Sequence, residues 1–173
     1  MDLKITNCTI GDIDLIFEMY AEATKYQKER VTDYWPIFSR KMVKNEIINK
    51  RHFKLLINKN VACIWCINFN DQLIWAEKEN NKSIYFHRIA THKNYRGNNY
   101  INKIIGWGTK YALTNKKKYL RLDTVGLNKK LIEHYTKSGF KFLGLRKLSL
   151  SKELPEHYQN AFVCLFELKI KVD

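Results

Sequence analysis

Proline and glycine are scarce in this chain, two and seven of 173 residues, which excludes collagenous, low-complexity and linker-rich proteins. No stretch approaches the roughly 20 consecutive apolar residues of a membrane span, and Met1-Asp2-Leu3-Lys4-Ile5-Thr6-Asn7-Cys8 lacks the basic and apolar regions of a secretion signal. A cytoplasmic protein is therefore expected, with no membrane partner. Four cysteines do not suggest a disulfide framework in a chain able to build its own core. Cys63 and Cys66 form a lone CxxC, but they sit in the apolar run Val61 to Ile67, which reads as a strand whose positions three apart point to opposite faces. Without a second ligand pair they are expected to be buried free thiols, and no metal is expected. Internal repeats are also missing.

Acidic residues are in short supply as well: 17 Asp and Glu stand against 31 Lys and Arg, a formal net charge of +14. Such a surplus suits an anionic partner, whether nucleic acid, an acidic membrane or a phosphorylated cofactor. It equally suits a solvated surface in a chain rich in Lys, Asn and Ile throughout. No helix-turn-helix, zinc-finger or RNA-binding aromatic signature supports a nucleic-acid partner. What is present is ordinary for a globular protein, 45% apolar and 28% charged. Residues 1–173 fit a single domain that buries roughly 70% of its unfolded surface, ample for a cofactor cleft.

Periodicity supplies the element order. A strand is expected at 3–7, then a helix capped by Thr9 and Asp12 with Ile13, Ile16, Phe17 and Tyr20 inward. A second helix is expected to begin at Pro36 and to turn Phe38, Met42, Val43 and Ile47 inward. Strands 52–57 and 61–69 flank a turn at Asn58-Lys59-Asn60. Residues 70–83 read as irregular, with Leu73, Ile74 and Trp75 covering something. A strand at 84–91 leads through a turn to a helix at 98–115, whose inward stripe is Ile101, Ile104, Ile105, Gly108, Tyr111 and Ala112. Strand 119–124, a helix from Asn128 to Ser138 closed by Gly139, and strands 140–148 and 161–170 complete the chain. This is an α/β fold, a mixed and mostly antiparallel sheet of about seven strands flanked by helices, with a parallel crossover through the helix at 98–115.

Two stretches carry chemistry. In Ile89-Ala90-Thr91-His92-Lys93-Asn94-Tyr95-Arg96-Gly97-Asn98-Asn99-Tyr100-Ile101, a strand ends in a turn that opens a helix. Backbone N–H groups from Gly97 to Ile101 would converge there on one spot at the positive end of the helix dipole, a place for a pyrophosphate. The second stretch is Asn128-Lys129-Lys130-Leu131-Ile132-Glu133-His134-Tyr135-Thr136-Lys137-Ser138-Gly139-Phe140. There Asn128 is placed as an N-cap and Tyr135 lies two turns further along nearly the same face. Together, in this order and at this separation, the stretches resemble the GNAT family of N-acetyltransferases, most sharply over residues 84–143.

The resemblance implies a GNAT fold and the transfer of an acetyl group from acetyl-coenzyme A to a primary amine. It implies that Ile89, Ala90 and Thr91 pair with the pantetheine amides. Arg96, Gly97, Asn98, Asn99, Tyr100, Ile101 and Asn102 would hold the pyrophosphate, and Asn128 would contact the pantetheine arm. Tyr135 would face the sulfur and protonate it as it leaves. The family keeps small residues where this chain has Asn99 and Ile101. Asn99 can take the left-handed conformation, whereas Ile101 would widen the loop or move the phosphates up the helix.

The reaction also needs a group that takes a proton from the amine. His87 is the first candidate, two residues before Ile89 and so expected on the same face of the strand, with Glu77, Glu79 and Asp123 behind it and a water chain with no dedicated base as the remaining alternative. Tyr26, Tyr34, Trp35, Trp75, Glu77, His157 and Tyr158 are candidates for contact with the acceptor. That acceptor would be an amine on a small molecule or peptide, and a homodimer is compatible with the sequence. Two other readings remain: a basic nucleic-acid-binding module, and a member of the same fold that binds coenzyme A without turnover.

Overall fold

Thr9 and Asp12 form the capping box that their spacing predicts: Asp12 accepts from the Thr9 N–H at 2.6 Å and from its hydroxyl at 2.9 Å. A 3₁₀ turn at Ile10–Asp12 leads into helix α1 (Ile13–Lys28). The computed structural model describes residues 2–30 and 33–171. Its other elements are β1 (Leu3–Asn7), α2 (Arg40–Ile48), β2 (His52–Ile57), β3 (Asn60–Asn68), α3 (Gln72–Trp75), β4 (Ser83–Thr91), α4 (Ile101–Thr114), β5 (Tyr119–Val125), α5 (Lys129–Lys137), β6 (Lys141–Lys147) and β7 (Phe162–Lys169). The strands form one seven-stranded mixed sheet in the order β1-β2-β3-β4-β5-β7-β6. Contacts divide the chain into two compact units, Met1–Ile67 with His87–Tyr100 and Asn68–Phe86 with Ile101–Asp173.

In the first unit β1, β2 and β3 pair antiparallel, from Leu3↔Ile57 to Asn7↔Phe53 and from His52↔Cys66 to Ile57↔Asn60. The hairpin between β2 and β3 turns on Asn58 (φ 47°) and Lys59 (φ 70°), the two consecutive positive φ values that match a tight turn to the twist of the strands. Helix periodicity places Ile16, Met19 and Tyr20 of α1 on one stripe, and they pack with Val43 and Ile47 of α2, Ile64 of β3 and Ala90 of β4. Strand β3 is buried from Ala62 to Ile67, so Cys63 and Cys66 are both covered whichever way they face. All four thiols are free and buried.

One boundary differs from the sequence expectation. Helix α2 starts at Arg40, not Pro36, because Ser39 is its cap and its hydroxyl accepts from the Met42 N–H. Residues 36–38 are non-helical, and Phe38 reaches the core without them forming a turn.

In the second unit the first half of β4 pairs parallel with β5, from Ser83↔Tyr119 to Phe86↔Leu122, and β7 pairs antiparallel with both β5 and β6. Helix α4 makes the crossover. Its Gly108 is demanded by space: a Cβ there would lie 2.5 Å from Cζ of Phe86 and 3.3 Å from a Leu120 methyl. The segment read as irregular holds the short helix α3 and a 3₁₀ turn at Ala76–Lys78. Its Ile74 and Trp75 are buried against Tyr85, Leu148, Leu154, Val163 and Leu165, which gives a polar stretch its fixed course. Among the described residues no helix is long and apolar enough to cross a membrane.

Candidate active site

The loop before α4 has the backbone its glycine and asparagines suggest. Gly97 has φ 83° and Asn99 φ 52°, so a left-handed residue stands on either side of Asn98. A Cβ built on Gly97 meets nothing within 4 Å; glycine is needed there for its φ rather than for space. Asn98 Nδ2 donates to the Tyr95 carbonyl at 3.0 Å, which braces the turn. Helix α4 follows with no acidic residue in its first turn, where one would oppose an anion. Ile101 is buried on the stripe it shares with Ile104, Gly108 and Ala112, and its side chain is spent on packing. Asn102 is exposed.

Arg96 reaches back to α1. Its guanidinium lies 4.5 Å from the Tyr26 ring centroid and 3.4 Å from the Glu22 carbonyl, while Arg30 covers the same ring at 3.7 Å. Lys93 pairs with Glu22 at 3.5 Å. Between this loop and α1 lies an open groove of about 420 Å³, with Glu18, Glu22, Lys25, His92 and Lys93 among its lining residues.

Strand β4 is not regular. Arg88 has φ 50°, and among the described residues it is the only non-glycine inside a strand with a positive φ. The expected sharing of a face by His87 and Ile89 assumes unbroken alternation, and Arg88 interrupts it between them. The Arg88 guanidinium is anchored by Glu46 of α2 at 2.5 Å and by the Tyr20 hydroxyl at 3.2 Å. The Tyr20 oxygen also lies 2.9 Å from Nε2 of His52. His52 is neutral. Burial first, and the Arg88 charge second, push the His52 pKa down to about 3. His87 is likewise pushed down to about 3, by burial and then by Arg88 and Arg51. It is neutral at physiological pH, but the burial that keeps it neutral also makes it a weak base.

The second unit gathers the stronger acid–base groups. Asn128 caps α5, its Oδ1 accepting from the Leu131 N–H at 3.2 Å, and Gly139 closes the helix at φ 98°. Both were legible as cap signals. Two turns on, the Tyr135 ring packs against Phe166 at 5.3 Å and Phe140 at 6.0 Å. Burial and the neighbouring Asp123 charge push its pKa up to about 12, so the phenol keeps its proton. Asp123 of β5 accepts from the Tyr158 hydroxyl at 2.8 Å, and a carboxylate oxygen of Asp71 lies within 4.8 Å of one of its own. Burial pushes Asp123 up to about 6. Asp71 rises to about 8 through burial, then Asp123, then Glu79. Two carboxyls this close resist ionising together.

The family model of the acetyltransferase (GNAT) family matches residues 16–140. The chain belongs to the GNAT family. An uncharacterized N-acetyltransferase of Bacillus subtilis, YesJ, is 27% identical over 74 residues, 43% of this chain and 41% of that relative's length. The chain thus matches less than half of that curated relative. Among solved structures, a GNAT-family acetyltransferase from Listeria monocytogenes superposes with TM-score 0.75 at 17% identity, over 96% of this chain and 94% of that one. A putative acetyltransferase of Salmonella typhimurium, yncA, solved with acetyl-coenzyme A, gives TM-score 0.67 at 11% identity over 99% and 95%. At these identities the two structures attest the fold.

Within this GNAT chain the remaining sequence candidates separate cleanly. Trp75 is fully buried core and Glu77 is an exposed partner of Arg146 at 2.8 Å. Glu79 accepts from the backbone of Asp71, Asn80 and Asn81. Tyr34 is exposed under Lys28, Trp35 packs on Tyr20 and Phe38, and the His157 ring lies tilted against Tyr158 at 4.2 Å. Asp71 carried no signal in the sequence, because its meaning comes from Asp123, far along the chain.

Proposed function

We propose that this GNAT-family chain is an N-acetyltransferase that moves the acetyl group of acetyl-coenzyme A to a primary amine. The observation that carries the reading is the pair of left-handed residues, Gly97 and Asn99, leading straight into an α4 whose first turn holds no acid. Acetyl-coenzyme A, when bound, supplies an acyl thioester whose carbonyl carbon an amine nitrogen attacks and whose thiolate departs. The amides from Gly97 to Asn102 would receive the diphosphate, with Arg96 adding charge beside them. The backbone of Ile89, Ala90 and Thr91 would pair with the pantetheine amides as an added strand and donate to the developing oxyanion. Asn128 would contact the pantetheine arm.

The side chains divide the protons by their pKa values. Tyr135, with its proton held up to about 12, is the donor to the departing sulfur. Of the candidate bases, His87 near 3 has little affinity for a proton. Asp123, near 6 and braced by Tyr158, is ionised at neutral pH and still basic enough to accept one. We therefore assign the amine's proton to Asp123. The acceptor in this reading is an amine on a small molecule or peptide.

Thermal shift separates this reading from a nucleic-acid module. Acetyl-coenzyme A at a hundred times its Kd should raise Tm by roughly 5–10 °C and do so at low and high salt alike. A random oligonucleotide should give little shift, and none at high salt, where charge-driven binding is lost. A shift from the oligonucleotide alone would overturn the proposal. Thiol release with an amine panel then separates an enzyme from a family member that only binds.

A further inference from the structure

Arginine is an unexpected residue at φ 50°, where glycine or asparagine would sit without strain. Three of its neighbours offset that strain, from α1, α2 and the residues just before α2, all within the first compact unit. Glu46 of α2 takes the guanidinium at 2.5 Å, Tyr20 of α1 accepts from Nε at 3.2 Å, and Phe38 offers its ring face at 5.2 Å. Tyr20 is in turn fixed by His52 of β2 at 2.9 Å. The Arg88 and Glu46 side chains are only 14% and 8% exposed, so the ion pair is dry and its geometry is not shared with water. The residue that follows is Ile89, the first of the three whose amides the functional reading assigns to the pantetheine arm and the oxyanion.

We infer that Glu46 and Arg88, with Tyr20 and His52 behind them, are positioning residues: a buried side-chain lock that holds the left-handed kink of β4 and so aims the amides of Ile89 to Thr91. The inference rests on the proposed function for its role and on the backbone geometry for its existence. The chain has used side-chain anchoring at a point where glycine would have supplied the same φ without any anchor. A rigid kink loses less conformational freedom on binding than a glycine kink.

The test compares two double variants of the full chain that remove both charges and leave similar space, Glu46→Gln with Arg88→Gly and Glu46→Gln with Arg88→Ala. They differ in backbone preference alone, since glycine takes a positive φ freely and alanine does not. Two readouts are taken on unliganded and titrated protein, the Ile89 and Ala90 amide resonances and the Kd for coenzyme A by calorimetry. The glycine variant should keep both resonances near wild type and bind within about threefold of it, while the alanine variant should shift them and bind about tenfold more weakly. Equal resonances and equal affinity in the two variants would overturn the lock and leave the ion pair a packing feature. A wild type that binds no coenzyme A would overturn the functional reading and this role with it, a result the resonances distinguish from a missing kink.

Discussion

Tyr135→Phe is expected to lower kcat by about a hundredfold or more and to leave the affinity for coenzyme A within about threefold of wild type. The ring is placed by Phe140 and Phe166, contacts that phenylalanine keeps, so the change removes one hydroxyl and little else. That hydroxyl is protonated at every working pH, because burial and Asp123 hold its pKa near 12. In the proposed reaction it is a permanent donor to the departing thiolate, and its loss would fall on the transition state rather than on ground-state binding. Steady-state kinetics with a reactive amine, beside calorimetry with coenzyme A, checks the split. Undiminished kcat would remove Tyr135 from the chemistry.

The second large effect is on stability and its dependence on pH. Asp71 is protonated in the folded protein up to about pH 8, whereas in the unfolded chain it ionises near the ordinary value of about 4. The folded state thus holds a proton that the unfolded state has released, and stability falls as pH rises from about 4 to about 8, then levels. Asp71→Asn removes the titration while keeping the shape. It should stabilise the protein by roughly 2–4 kcal/mol at pH 8.5, a Tm increase of about 5 °C or more, and have little effect at pH 4. Thermal melts of both proteins across that range give the answer. A difference in Tm that does not grow with pH would mean that Asp71 is not held neutral.

Much of the fold was legible because it is written in local signals. Thr9 and Asp12, Asn128, and Gly139 each act within one turn of where they stand, and the hairpin turn at Asn58 and Lys59 does the same. Helix α2 begins four residues later than expected because Pro36 and Ser39 are both good helix openers, and tertiary packing of Phe38 decides between them. Trp75 and its short helix were hidden in a polar segment whose course is set by partners on β4 and β7.

The candidate site divides along the same line. The loop at 96–102 could be read from its glycine and asparagines, and the left-handed Asn99 follows from the residue type. The side chain of Ile101 is buried on the α4 stripe, where its helical spacing places it. Arg88 and Asp71 could not be read. An arginine in an alternating strand looks the same at φ 50° as in an extended strand, and an aspartate acquires a raised pKa only when the fold buries it and brings Asp123 beside it.

The central claim is that the left-handed backbone at residues 97 and 99 shapes the amides that receive the diphosphate. It is tested most directly by titrating coenzyme A into Asn99→Gly and Asn99→Val. Glycine takes the φ of 52° without strain, while a β-branched residue resists it. The account predicts wild-type affinity or better for the glycine variant and a Kd at least about tenfold weaker for valine. Equal binding by the two would contradict it.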